Sequence, residues 1–147
     1  MQHILIVGRV NLGKTAYAIE FFKKHKNGLF FSQNHSKKDL LEMLNENFKD
    51  KIFDDCYSLN DICQKIKNLD FDYIVVDYLQ LFSSNGAKDL IEYLNKNGKF
   101  IVLVSQLLQS ADNKTEFDKS DFRESYLLKY FDNIIYLHEE YGVSLIN

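Results

Sequence analysis

What this chain of 147 residues lacks already excludes several classes of protein. It has no proline, no tryptophan, two cysteines and two arginines. No apolar run approaches the roughly 20 residues needed to cross a bilayer, and the N-terminus lacks the charged and apolar regions of a signal peptide. We therefore expect a cytoplasmic protein with no membrane partner. The missing proline and tryptophan reflect overall composition and exclude no function.

The scarcity of cysteine and arginine argues against a cysteine-ligated metal site and against a small-molecule kinase. Cys56 and Cys63 show no spacing typical of metal ligands, so we expect free thiols in a reducing cytosol. Arg9 and Arg123 are too few for the arginine-rich lid of a small-molecule kinase. A net charge of −3 at pH 7 gives no indication of nucleic-acid binding. The hydrophobic content of 46% and charged content of 27% are typical of one globular domain, which we assign to residues 1–147.

The most informative feature that is present is the run GRVNLGKT at residues 8–15. It fits the pattern G-x-x-x-x-G-K-[ST] of a phosphate-binding loop, with an apolar strand predicted before it and a helix after it. In such a loop, backbone N–H groups and the positive end of the helix converge on phosphate oxygens. Lys14 is expected to reach the β- and γ-phosphates, and the Thr15 hydroxyl is expected to hold Mg²⁺. The nucleotide site is then the contiguous set Gly8, Arg9, Val10, Asn11, Leu12, Gly13, Lys14, Thr15 and Ala16.

The rest of the chain alternates apolar strands with segments of helical periodicity. Strands are predicted at residues 3–7, 28–32, 51–56, 73–77, 99–105, 133–137 and 143–146. Helices are predicted at residues 15–24, 36–47, 59–69, 87–97 and 122–131, with Ser36 capping the second and Ser58 or Asn60 the third. Because most strands are continuously apolar, we expect a mainly parallel central sheet covered on both faces. The predicted fold is a three-layer α/β fold.

Two polar residues end neighbouring apolar strands of this predicted sheet. Asp77 ends the strand YIVVD, where a carboxylate can position Mg²⁺ through its water shell. Gln106 ends the next strand, where an amide can sense the γ-phosphate, although a solvated strand end is the simpler interpretation of a single glutamine. We expect Lys14, Asp77 and Gln106 to be the catalytic residues, and Thr15 and Asp77 to form the metal site.

Four segments carry a resemblance to a known family. GRVNLGKTAYA, VVDYLQLF, VSQL and FRES occur in this order and resemble the ATPase domain of hexameric replicative helicases of the DnaB type, a branch of the RecA-like fold. The resemblance extends over nearly the whole chain, and the string DYLQL in a Walker B strand is quite specific to that branch. It implies ATP and Mg²⁺ as cofactors, Lys14 and Thr15 on phosphate and metal, Asp77 on the metal, and Gln106 as γ-phosphate sensor.

The sequence also departs from the family. The catalytic glutamate that follows the second strand in the family aligns with Asn34, and an amide cannot accept a proton from water. His35 and Glu124 are alternative bases, but sequence position favours neither. No arginine finger is found on a late strand, the basic segment after DYLQL is missing, and the N-terminal helical domain has no counterpart. We therefore expect a monomer or small oligomer rather than a stable hexamer, with little hold on DNA.

The combined expectation is an ATP-binding protein with slow or partner-dependent hydrolysis. It would act as an accessory or regulator in DNA replication or recombination, with a protein partner from that machinery. The alternative is an active DNA-stimulated ATPase, a small motor of the helicase kind.

Overall fold

Strands alternate with helices throughout the computed structural model, which describes residues 3–8, 13–77, 84–106, 125–138 and 142–146. In chain order the elements are β1 (Ile4–Gly8), α1 (Lys14–Lys24), β2 (Gly28–Ser32), α2 (Lys37–Met43), a 3₁₀ helix (Glu46–Lys51), β3 (Ile52–Phe53), α3 (Leu59–Ile66), β4 (Tyr73–Asp77), α4 (Ser84–Lys96), β5 (Phe100–Gln106), a second 3₁₀ helix (Ser125–Tyr130), β6 (Asn133–His138) and β7 (Gly142–Ile146). None of these helices is long and apolar enough to span a bilayer.

All seven strands belong to one sheet with the order β3-β2-β4-β5-β1-β6-β7. The first six strands pair in parallel, and β7 pairs antiparallel with β6. The prediction of a mainly parallel α/β sheet is therefore confirmed. Because parallel strands all end at the same edge, the last residues of β1, β2, β4 and β5 lie together there. Strand β5 separates β1 from β4.

Alternate residues of each strand pack on opposite faces of the sheet and build two separate cores. Apolar residues of α1 and α2 cover one face, and apolar residues of α3 and α4 cover the other. In β1, for example, Leu5 and Val7 pack with α3 and α4, whereas Ile6 packs with α1. The expected three layers are thus present.

A close approach between β2 and β4 helps to fix the sheet against α1. The Tyr73 ring covers Gly28 so tightly that a Cβ atom there would lie 2.3 Å from Tyr73 Cζ. The same ring stacks on Phe100 at 5.0 Å, and its hydroxyl donates to the backbone carbonyl of His25 just after α1. Burial raises the pKa of Tyr73, so it stays neutral. Only glycine leaves room for this ring.

Several element boundaries differ from the predicted ones. Helix α2 is capped by Ser36 as predicted but ends at Met43, because Leu44 has a non-helical backbone (φ −101°, ψ −107°). The Asn45 side chain then accepts from the Asn47 N–H and starts the first 3₁₀ helix, which leaves only two residues for β3. Helix α3 ends at Ile66 rather than residue 69, and α4 begins at residue 84 rather than 87. Of the helix predicted at 122–131, residues 125–130 form a 3₁₀ helix, and 122–124 lie outside the described residues.

Candidate functional site

The described residues of the predicted phosphate loop, Gly8 and residues 13–16, lie with the predicted carboxylate near the end of the sheet where the parallel strands finish. Gly8, the last residue of β1, pairs with Gln106 of β5, and Asp77, the last residue of β4, pairs with Ser32 of β2 and Val104 of β5. Parallel register therefore brings residues that are far apart in sequence to one end of the sheet. Ligands of open parallel sheets bind at this end.

The second glycine of the motif turns the chain into α1. Gly13 has φ +77° and ψ +26°, a left-handed conformation that glycine adopts without strain, and no atom lies within 4 Å of a Cβ built there. The next residue, Lys14, is only 7% exposed, and its Nζ donates to the Gly8 carbonyl at 3.1 Å. The lysine side chain thus folds back from the start of α1 to the end of β1. Burial lowers the pKa of Lys14, and the nearby charge of Asp77 opposes that shift.

Gly8, the first glycine of the motif, is constrained by the closeness of its neighbours rather than by its backbone conformation. A Cβ atom at Gly8 would lie 3.0 Å from the Leu137 carbonyl oxygen of β6 and 3.5 Å from Lys14 Cγ. Close packing against both neighbours leaves little space for a side chain. Gly8 therefore allows β6 and the Lys14 side chain to approach the end of β1 together.

The central contact of the site joins α1 to β4. The Thr15 hydroxyl donates to Asp77 Oδ2 at 2.8 Å, across 62 positions of sequence. Asp77 is completely buried, and its other oxygen, Oδ1, has no hydrogen-bond partner among the described residues. Burial raises the pKa of Asp77, while the Thr15 hydrogen bond and the charges of His35 and Lys14 oppose that rise. A buried carboxylate oxygen without a hydrogen-bond partner is energetically unfavourable unless another group binds it.

This donor set fits magnesium better than a metal that needs many protein ligands. No group of three or more His, Cys, Asp and Glu side chains able to hold a metal occurs in the described ranges. Mg²⁺ keeps several waters and typically takes one or two protein oxygens together with substrate phosphates. The Thr15 hydroxyl and the open Asp77 Oδ1 match that requirement.

A turn after β2, residues 33–35, adjoins Asp77 and was not predicted from the sequence as part of the site's framework. The buried Ser32 Oγ accepts from the backbone N–H groups of Asn34 at 3.3 Å and His35 at 3.0 Å. The Gln33 backbone N–H donates to the Asp77 carbonyl at 2.9 Å, and Gln33 Nε2 donates to the Cys56 carbonyl at 2.7 Å. The signal for this turn was present in the sequence, since serine at a strand end followed by asparagine is typical of side-chain-capped turns.

Other predicted residues are placed only in part. Gln106 lies at the end of β5 and pairs with Gly8, but only its backbone is described, so its role as a γ-phosphate sensor stays a prediction. Asn34 is exposed in the turn beside Asp77, and Ala16 is exposed in the first turn of α1. Outside the described residues lie four of the loop residues, Arg9, Val10, Asn11 and Leu12, as well as Arg123 and Glu124.

Comparison with known proteins adds a likeness in fold. No protein-family model matches the sequence, and no curated protein matches it. A solved structure described as that of a DnaB-like replicative helicase, studied with its interactions with primase, matches with a TM-score of 0.72 and 21% sequence identity over 95% of this chain. The match spans 48% of the helicase chain, about half its length. At this identity the likeness shows the fold alone, and it confirms the predicted RecA-like α/β fold.

Proposed function

We propose that this chain binds Mg²⁺-ATP at the end of β1 and hydrolyses it slowly or only with a partner. The observation that carries the proposal is the contact between Thr15 and Asp77, in which one buried carboxylate oxygen has no hydrogen-bond partner among the described residues. Lys14 lies close to this pair, with its ammonium group on the end of β1. A lysine, a hydroxyl and a carboxylate in this order are the groups that a P-loop protein uses for phosphate and Mg²⁺.

Each residue has a separate task in this proposal. Lys14 would leave the Gly8 carbonyl and bind the terminal phosphates, where its positive charge balances theirs. Thr15 and Asp77 would hold the hydrated Mg²⁺, which supplies charge neutralisation at the phosphates. The choice of ATP follows from the resemblance of the four sequence segments to replicative helicases.

Slow hydrolysis is proposed because the turn beside Asp77 presents an amide. Asn34 is exposed there, and its side chain lies 3.3 Å from the His35 ring. An amide can orient a water molecule but cannot take its proton. General bases typically contribute about 10²–10⁴-fold to rate, so we expect turnover lower by about that factor than in an enzyme with a carboxylate at this position.

A role in DNA replication or recombination is the proposed setting. The supporting observations are the sequence resemblance and the fold shared with a replicative helicase whose published description includes primase. In that setting, ATP would act as a ligand that stabilises one state of the protein for a partner of the replication or recombination machinery.

Thermal unfolding with and without Mg²⁺-ATP tests the binding part. At a ligand concentration of about 100 times Kd, binding stabilises the folded state by about 2.7 kcal/mol, which corresponds to roughly 5–10 °C for a chain of this size. Lys14→Ala should lose this stabilisation. Lys24→Ala, which removes an exposed lysine from the same helix, should keep it. Equal stabilisation of both variants would contradict the proposal.

A DNA-stimulated motor is the second candidate, and the fold shared with a helicase is the observation that favours it. It predicts that single-stranded DNA increases phosphate release and that the protein forms a ring when nucleotide is added. Turnover measured with and without DNA separates the two candidates. A turnover of several ATP molecules per second without any partner would exclude the proposal of slow or partner-dependent hydrolysis.

A further inference from the structure

We propose that Asn34 and His35 contact the terminal phosphate of the bound nucleotide, so that the site distinguishes a triphosphate from a diphosphate. The inference rests on the proposed nucleotide binding and deepens it. It assigns recognition of the third phosphate to the turn after β2, which lies outside the phosphate-loop motif.

The position of the turn is the first support. Ser32, the last residue of β2, pairs with Asp77 in the sheet. Neighbouring strands lie about 4.8 Å apart, and the next backbone N–H, that of Gln33, donates to the Asp77 carbonyl at 2.9 Å. The turn therefore begins directly beside the residue proposed to position Mg²⁺, where the terminal phosphate of a Mg²⁺-bound nucleotide must lie.

The turn is also held in place before any ligand arrives. Ser32 Oγ is buried and accepts from both Asn34 N–H and His35 N–H. Gln33 Nε2 donates to the Cys56 carbonyl at 2.7 Å and ties the turn to the segment after β3. These bonds occupy the backbone and leave the Asn34 side chain exposed and the His35 side chain half-buried. Groups on a pre-organised backbone lose less conformational entropy when they bind.

The two side chains are arranged as hydrogen-bond donors. Asn34 Nδ2 lies 3.3 Å from His35 Nε2. The Asn34 amide nitrogen can donate to Nε2 when the imidazole is neutral and carries its proton on Nδ1. His35 Nδ1–H and the second N–H of the Asn34 amide remain to donate to phosphate oxygens. Donors to a charged phosphate form stronger hydrogen bonds than those between neutral groups.

The charges near the turn are of both signs. Residues 32–38, SQNHSKK, contain two lysines and no acidic residue, whereas the Asp54 carboxylate accepts from the Lys37 backbone N–H at 2.7 Å. Burial raises the pKa of Asp77, and His35 in its protonated form opposes that rise. With Lys14 at the end of β1, positive or donating groups then surround Asp77 from two sides.

Calorimetric titration of the full chain tests the proposal, with Mg²⁺ and either ADP or the β,γ-imido analogue of ATP. In His35→Ala and in Asn34→Ala we expect Kd for the triphosphate analogue to rise about tenfold, and Kd for ADP to change less than twofold. His35→Gln, which keeps a side-chain donor, should recover part of the preference for the triphosphate. His25→Ala removes an exposed histidine just after α1, at the opposite end of the sheet, and should change neither constant.

The outcomes separate this inference from the proposed function. If the wild type binds both nucleotides and the ratio of the two constants is the same in every histidine and asparagine variant, the assignment of the turn is wrong and nucleotide binding stands. If the wild type binds neither nucleotide, both proposals fail. Thermal unfolding of each variant without nucleotide verifies that the fold is kept.

Discussion

Replacing Thr15 by valine removes one hydroxyl from the centre of the proposed site and keeps the shape of the side chain. Threonine and valine have similar helix propensities, so α1 should form in both. In the wild type the hydroxyl donates to Asp77 Oδ2 at 2.8 Å, and the other carboxylate oxygen has no partner in the part of the chain that the structure describes. In the variant, neither oxygen of this completely buried carboxylate has a hydrogen-bond partner among the described residues.

The expected magnitude follows from this loss. Hydrogen bonds to charged groups contribute about 1.5–3 kcal/mol to stability, and a buried acceptor that loses its donor keeps its full desolvation penalty. We expect Thr15→Val to lower the free energy of unfolding by about 1.5–3 kcal/mol near neutral pH in the absence of nucleotide. Thr15→Ser retains the hydroxyl and is the matched control, with a loss below about 1 kcal/mol.

The pH dependence of this difference has a definite sign. Burial raises the pKa of Asp77 above its unfolded value, so ionised Asp77 opposes folding above the folded-state pKa. This penalty disappears as the pH falls from the folded-state pKa through the unfolded value near 3.8. The Thr15 hydrogen bond reduces the penalty by stabilising the carboxylate. The valine variant should therefore differ most from wild type near neutral pH and approach it in acid.

Urea unfolding monitored by circular dichroism measures these free energies, and the serine variant run in parallel keeps the hydroxyl while removing the methyl group. A second arm repeats the titration with Mg²⁺-ATP. Thr15→Val should lose the Mg²⁺-dependent part of the stabilisation, and Thr15→Ser should retain it. Valine and serine variants of equal stability, with equal responses to Mg²⁺-ATP, would refute the reasoning.

Two further changes test the packing and the chemistry. Gly28→Ala forces a methyl group to within 2.3 Å of the buried Tyr73 ring. It should lower the free energy of unfolding by about 1–3 kcal/mol or more. A variant as stable as wild type in urea would mean that the Tyr73 ring can move without loss of stability. Asn34→Glu supplies a proton acceptor beside Asp77 and should raise phosphate release at saturating Mg²⁺-ATP by up to about 10²–10⁴-fold. An unchanged rate there would show that residue 34 does not face the attacking water.

Much of the fold was predictable because local pattern and tertiary structure agree. Apolar, β-branched runs such as residues 28–32 and 73–77 became β2 and β4 with the predicted bounds. The end of α2 was not predictable from periodicity, because Leu44 keeps helical spacing and packs in the same core as Leu40 although the helix ends at Met43. The antiparallel direction of β7 was not assigned either, because strand direction depends on long-range pairing with β6.

Part of the candidate site was likewise predictable from the sequence, and part was not. The motif predicted which residue types flank the proposed phosphate position, and the structure brings Lys14, Thr15 and Asp77 together. That Asp77 Oδ1 has no partner among the described residues was not predictable, since it depends on what packs around the end of β4. The turn held by Ser32 was missed although serine at a strand end followed by asparagine is typical of such turns, because the burial of the Ser32 hydroxyl depends on tertiary packing.

Calorimetric titration of Mg²⁺-ATP into the wild type and into Lys14→Ala tests the central claim most directly. The account predicts micromolar binding by the wild type that depends on Mg²⁺ and is lost in the variant, with both proteins folded. Binding of equal strength in the two proteins, or no binding by the wild type, would contradict it.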